Sequence, residues 1–117
     1  MADNAYRVEL IETSTFTKQI VALFSDEEHS EFQLRLAANP QLGALIKGGG
    51  IFKIRVATGS QGKRGGARVI YYWVAQRDVI LLLFAYSKRD TADLTPKQVS
   101  MLGKVVKEEF GNEKRNV

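Results

Sequence analysis

The residues of this chain best suited to chemistry are cations, and they recur at strand-like spacing through its second half. Lys53 and Arg55 stand two apart in Phe52-Lys53-Ile54-Arg55-Val56, and Arg68 opens Arg68-Val69-Ile70-Tyr71-Tyr72. Tyr86, Lys88 and Arg89 leave the apolar run that follows, and Lys63 and Arg64 sit in the loop between the first two segments. Residues two apart on a strand share a face, so Lys53 and Arg55 project together. A guanidinium binds phosphate oxygens bidentately and does not lose its proton, which suits Arg68 to holding a phosphate. A lysine crowded by other cations gives up its proton more readily, so Lys53 is a candidate base or phosphate-stabilising cation.

Other chemistries fail on residue type or spacing. There is no cysteine, which excludes disulfide scaffolds, thiolate zinc sites and cysteine nucleophiles. The one histidine, His29, lies among acids in a helical segment and reads as a solvated helix residue, not a catalytic one. Gly59-Ser60-Gln61-Gly62-Lys63-Arg64 is too short for a phosphate-binding loop, and Arg64 stands where a magnesium-binding hydroxyl is needed. Gly48-Gly49-Gly50 does not fit the dinucleotide pattern, since Lys53 occupies the third glycine position. The carboxylates gather on helices, away from the strands, which disfavours paired-acid glycoside chemistry. No metal and no cofactor are expected.

The charge distribution points the same way. The net charge is +4, but residues 1–46 hold 3 Lys/Arg against 7 Asp/Glu, while residues 47–89 hold 9 against Asp78 alone. A basic block of that density marks a polyanion partner. A basic sheet face can also serve edge protection. Arg68, however, falls on the middle strand of the meander, where edge protection is not needed. At 117 residues the chain is expected to form a single domain over 1–117. With no apolar run of membrane-spanning length and no export signal at its start, it is expected to be cytoplasmic, with no membrane partner.

The elements that must position these cations follow from periodicity. Tyr6 to Glu12 reads as a strand. Thr13-Ser14-Thr15 offers cap oxygens to a helix carrying Phe16, Ile20, Leu23 and Phe24, and Ser25 and Glu28 form a capping box for a second helix. That helix is expected to turn Phe32, Leu34 and Leu36 inward and to end at Asn39-Pro40. Gly43 to Gly50 reads as a turn region, and three strands follow: Ile51–Ala57, Arg68–Val74 and Val79–Ala85. The last is apolar throughout, as a strand covered on both faces should be. Thr95-Pro96-Lys97-Gln98 opens a final helix with Val99, Leu102, Val106 and Phe110 on one side. The expectation is an α+β domain in the order β-α-α-β-β-β-α, an antiparallel sheet with all three helices packed on one face.

Taken together, the strand Phe52–Val56, the stretch Gly62-Lys63-Arg64-Gly65-Gly66, the strand Arg68-Val69-Ile70-Tyr71-Tyr72 and the exit Tyr86-Ser87-Lys88-Arg89-Asp90 resemble toxins of the RelE superfamily. More narrowly they resemble the HigB branch of bacterial type II toxin–antitoxin modules. The resemblance implies a microbial-RNase-like fold and metal-independent cleavage of messenger RNA, usually on the ribosome. It implies a cognate antitoxin, often a helix-turn-helix protein encoded next to the toxin, through which alone the pair touches operator DNA. It fits Lys53, Arg55, Arg68 and a residue among Tyr86 to Arg89 as site positions. Lys88 or Tyr86 would supply the leaving-group proton, or Tyr86 would stack on a base. Lys63, Arg64 and Arg89 are assigned to RNA-backbone binding by loop position and charge. A competing reading keeps the same basic sheet for a non-catalytic RNA- or ribosome-binding module; binding alone needs cations and stacking but no proton-transfer pair. A third, weaker reading makes that surface a docking site for an acidic protein.

Overall fold

A computed structural model describes residues 8–47, 50–57, 66–87, 95–104 and 106. β1 (Glu9–Glu12) leads into α1 (Ser14–Leu23) and α2 (Asp26–Ala38), followed by β2 (Ala44–Lys47), β3 (Ile51–Val56), β4 (Ala67–Val74) and β5 (Val79–Ser87). α3 covers residues 96–104. The fold is α+β in the expected order, with β2 added. None of the described helices is long and apolar enough to cross a membrane.

The helices start where their caps dictate. Thr13 Oγ1 accepts the Phe16 N–H at 3.0 Å. Ser25 Oγ accepts the Glu28 N–H at 3.1 Å while Glu28 Oε1 accepts the Ser25 N–H at 2.8 Å, the reciprocal capping box. Thr95 and Gln98 repeat the arrangement at α3, with bonds of 3.1 and 2.9 Å. On α2, Phe32 and Leu36 are buried but Leu34 is 73% exposed, contrary to the inward placement expected of it. Two residues along a helix is a rotation of about 200°, so Leu34 cannot share the face of its neighbours. His29 is half-buried rather than solvated. Its Nε2 lies 2.8 Å from Glu12 Oε2, and Glu12 also accepts from Thr17 and Gln33, tying β1 to both helices.

The sheet runs β1-β5-β4-β3-β2. β2 to β5 are antiparallel, but β1 lies parallel to β5, with Glu9 opposite Val79 and Glu12 opposite Leu82. The sheet is therefore mixed, not antiparallel throughout. No hairpin sets the direction of β1, since the whole helical hairpin and meander separate it from its partner. Where β1 ends, α1 satisfies the remaining β5 edge: Thr13 Oγ1 donates to the Leu83 carbonyl at 3.1 Å, and Gln19 Oε1 accepts the Ala85 N–H at 2.7 Å. β2 was hidden in the expected turn region by its length of four residues. Gly50, at φ +100°, makes the return into β3, and its carbonyl accepts the Trp73 N–H at 3.1 Å.

Alternation along the strands builds two cores. Phe52, Ile54, Val69 and Tyr71 meet Phe16, Ile20, Phe32 and Leu36 from α1 and α2. Ile51, Ile70, Leu81, Leu83 and Tyr86 form the second cluster, with Leu102 and Val106 from the C-terminal helical segment. Ile51 and Phe52 are adjacent and so point to opposite faces. The C-terminal helix therefore covers the face away from α1 and α2, not the same face as expected. That placement gives β5, buried along nearly its full length, a cover on each side.

Candidate active site

Strand register sets the site. Arg55 on β3 is directly opposite Arg68 on β4, and Arg68 is directly opposite Tyr86 on β5. Directly opposed residues share a face with Cβ atoms about 5 Å apart, so the three side chains form one cross-strand row. Lys53, two residues before Arg55, shares that face and is opposite Ile70. The row lies on the face covered farther along by α3.

Burial differs sharply along the row. Arg55 is exposed and Lys53 half-buried, while Arg68 is only 7% exposed because it sits on a strand flanked on both sides. Its Nη1 is buried without a hydrogen-bond partner among the described residues. A buried donor left in that state costs about 1–3 kcal/mol, and a second arginine directly across the ladder adds like-charge repulsion. Neither helps the fold; both suit a site that awaits an anion. Tyr86 is 6% exposed and packs in the second core, its ring centroid 5.8 Å from that of Phe84. A ring so placed would have to be uncovered before a base could stack on it.

A groove of about 490 Å³ opens at the start of β2, where β3 runs on past it. Lys53, Ile54, Arg55 and Arg68 line one side, and Leu42, Gly43, Ala44 and Arg35 the other. No carboxylate is among these residues. The groove thus gathers Lys53, Arg55 and Arg68, whereas Tyr86 belongs to the row but not to the groove lining. Lys63, Arg64, Lys88 and Arg89 lie outside the described residues.

Two contributors went unread in the sequence. Arg35 comes from the last turn of α2, in the acidic half of the chain. Its one signal is its place a turn before Asn39-Pro40, the helix end that must run into the sheet. Tyr71 lies on the opposite face of β4 from Arg68 and Ile70, stacked on Phe52 with centroids 5.2 Å apart and planes at 6°. Its hydroxyl accepts the Gly43 N–H at 2.9 Å and donates to the Pro40 carbonyl at 2.8 Å. Burial holds its pKa above the ordinary 10.0, only partly offset by the Gly43 bond. Tyr71 therefore stays neutral and clamps the loop that walls the groove. Glycine is required at that wall, because a Cβ on Gly43 would stand 2.7 Å from the Lys53 carbonyl oxygen. The loop can approach β3 beside Lys53 only without a side chain.

What the arrangement can do is bind and polarise a phosphate: cations converge from two strands and a helix end on one open groove. A family model described as the RelE toxin of the RelE / RelB toxin-antitoxin system matches residues 13–117. That span begins at the N-cap of α1 and takes in the helical hairpin, the meander and every cation of the groove. The chain therefore belongs to the RelE toxin family: it is a toxin of a toxin–antitoxin pair with a cognate antitoxin, of a kind that generally cleaves messenger RNA and so inhibits translation.

Proposed function

We propose that this toxin, of the HigB branch, is a ribosome-dependent endoribonuclease that cuts translated messenger RNA without a metal, using the RNA's own 2′-hydroxyl as nucleophile. The observation that carries the proposal is the row Arg55–Arg68–Tyr86 beside Lys53, with the Arg68 Nη1 buried and without a hydrogen-bond partner among the described residues. In the reaction a base takes the 2′-hydroxyl proton, the O2′–P bond forms, and the P–O5′ bond breaks as O5′ gains a proton. The products are a 2′,3′-cyclic phosphate and a 5′-hydroxyl. Lys53 is the base or stabilises the phosphorane. Arg68, with Arg55 across the ladder, holds the phosphate oxygens as negative charge grows on them. The leaving-group proton comes from the exit of β5, at Tyr86 or Lys88. Lys63, Arg64 and Arg89 bind the RNA backbone.

Orientation by the ribosome accounts for so small a catalytic set, since the decoding site then supplies much of the entropic advantage of a fixed reacting geometry. The antitoxin is a helix-turn-helix protein, contact with operator DNA runs through it, and the toxin acts in the cytoplasm. A non-catalytic RNA-binding module would use the same groove. The one feature favouring it is the burial of Tyr86 away from the groove lining.

The test is inducible expression with and without the antitoxin gene, with mapping of messenger 5′ ends. Growth arrest with new 5′ ends at positions phased to the reading frame is expected, relieved by the antitoxin. Arg68→Ala should abolish both while the protein remains folded by circular dichroism. Arrest with unchanged messenger 5′ ends would leave only the binding module, and equal cutting of naked and translated RNA would remove the ribosome from the mechanism.

A further inference from the structure

The groove is larger than one phosphate needs. At about 490 Å³ it falls in the size range of sites that hold a nucleotide-sized ligand. Its cations also come from opposite sides of the sheet. Lys53, Arg55 and Arg68 stand on the face that α3 covers, while Arg35 comes from α2, which covers the other. Two cation sets meeting across a sheet edge match two phosphates of one strand better than a single phosphate.

We infer that Arg35 binds a second phosphate of the same RNA strand, flanking the one held by Arg68. The RNA backbone then crosses the sheet's edge where β2 begins, over the Leu42–Ala44 wall and the part of β3 that runs on past Lys53. The inference rests on the nuclease reading above and names the part of the substrate that the far side of the groove takes. Arg35 is available for the role: it is exposed, and among the described residues its side chain makes neither an ion pair nor a hydrogen bond. The competing role for an arginine in the last turn of a helix is to complement the negative end of the helix dipole. The two roles differ in one measurable respect. A phosphate contact releases counterions when RNA binds, and a dipole contact does not.

The experiment measures binding of a short single-stranded RNA, 2′-O-methylated at every ribose so that no nucleophile is present, over a series of salt concentrations. Arg35→Ala should weaken binding about three- to tenfold at low salt. It should also reduce the magnitude of the slope of log K against log[salt] by about 0.7, the value for one phosphate contact on a single strand. Arg35→Lys should restore the slope, since a point charge suffices. A thermal melt of each variant checks that the fold is retained. If Arg35→Ala leaves the slope unchanged while Arg68→Ala reduces it, Arg35 serves the helix end and the inference fails alone. If the wild-type protein shows no salt-dependent binding of the oligonucleotide, the reading of the groove as an RNA site fails with it.

Discussion

Arg68→Met should make the protein more stable and harmless. The arginine carries two costs. Its buried Nη1, without a hydrogen-bond partner among the described residues, is worth about 1–3 kcal/mol against folding. Its position directly opposite Arg55 adds about 0.2–1 kcal/mol of like-charge repulsion. Methionine keeps an unbranched stem to fill the same space and removes both costs, so a net gain of about 1–3 kcal/mol is expected. For a chain of this size that corresponds to roughly 3–6 °C of thermal midpoint per kcal/mol. Urea unfolding is the assay: the midpoint should rise with no change in slope, because the surface exposed on unfolding barely changes. Inorganic phosphate should raise the midpoint of the wild type more than that of the variant, because only the wild type offers the guanidinium to a bound anion. Expression of the variant should no longer arrest growth. A variant less stable than wild type by more than about 1 kcal/mol would refute the reasoning, since Arg68 would then be supporting the fold.

Tyr71→Phe keeps the ring stack on Phe52 but orphans the Gly43 N–H and the Pro40 carbonyl, and should cost about 1–3 kcal/mol in urea unfolding; a loss below about 0.5 kcal/mol would mean the loop does not depend on the hydroxyl. The same pair tests the pH dependence. Folded Tyr71 holds its proton above the ordinary 10.0, so the stability it contributes is fully present below pH 10 and is lost as pH rises through the higher folded value. The difference between wild type and Tyr71→Phe should therefore be flat below pH 10 and shrink above it, and a difference that grows there would contradict the assignment. On α2, Leu36→Ala should cost about 2–5 kcal/mol and Leu34→Ala no more than about 0.5 kcal/mol, as chemical denaturation of the two variants will show; equal costs would put the buried face of the helix in error.

Much of the fold was legible because its signals are local. A capping box is four residues of sequence, and Thr13, Ser25 and Thr95 start helices for reasons contained in the next turn. The alternation that sends Lys53 and Arg55 to one face and Phe52, Ile54 and Val56 to the other is likewise a property of one strand. The apolar run Val79–Ala85 even carried the information that both sheet faces are covered, which is incompatible with three helices on one face. Each strand and helix signal can be read alone; combining them is what the expected layering failed to do. The split of Leu34 from Phe32 and Leu36 was a misreading of helical period, not a missing signal.

The sequence by itself determined which residues bear charge, which segments become four of the five strands, and that Lys53 and Arg55 project from one face of theirs. Tertiary structure alone decided that Arg55, Arg68 and Tyr86 stand in one row, because register is a relation between strands. It alone buried Arg68, withdrew Tyr86 into the second core, set β1 parallel to β5 and brought Arg35 from the acidic half to the groove. Each of these depends on distances between residues far apart in the chain. Such distances are set by how the two cores pack, and no local pattern of residue types records them.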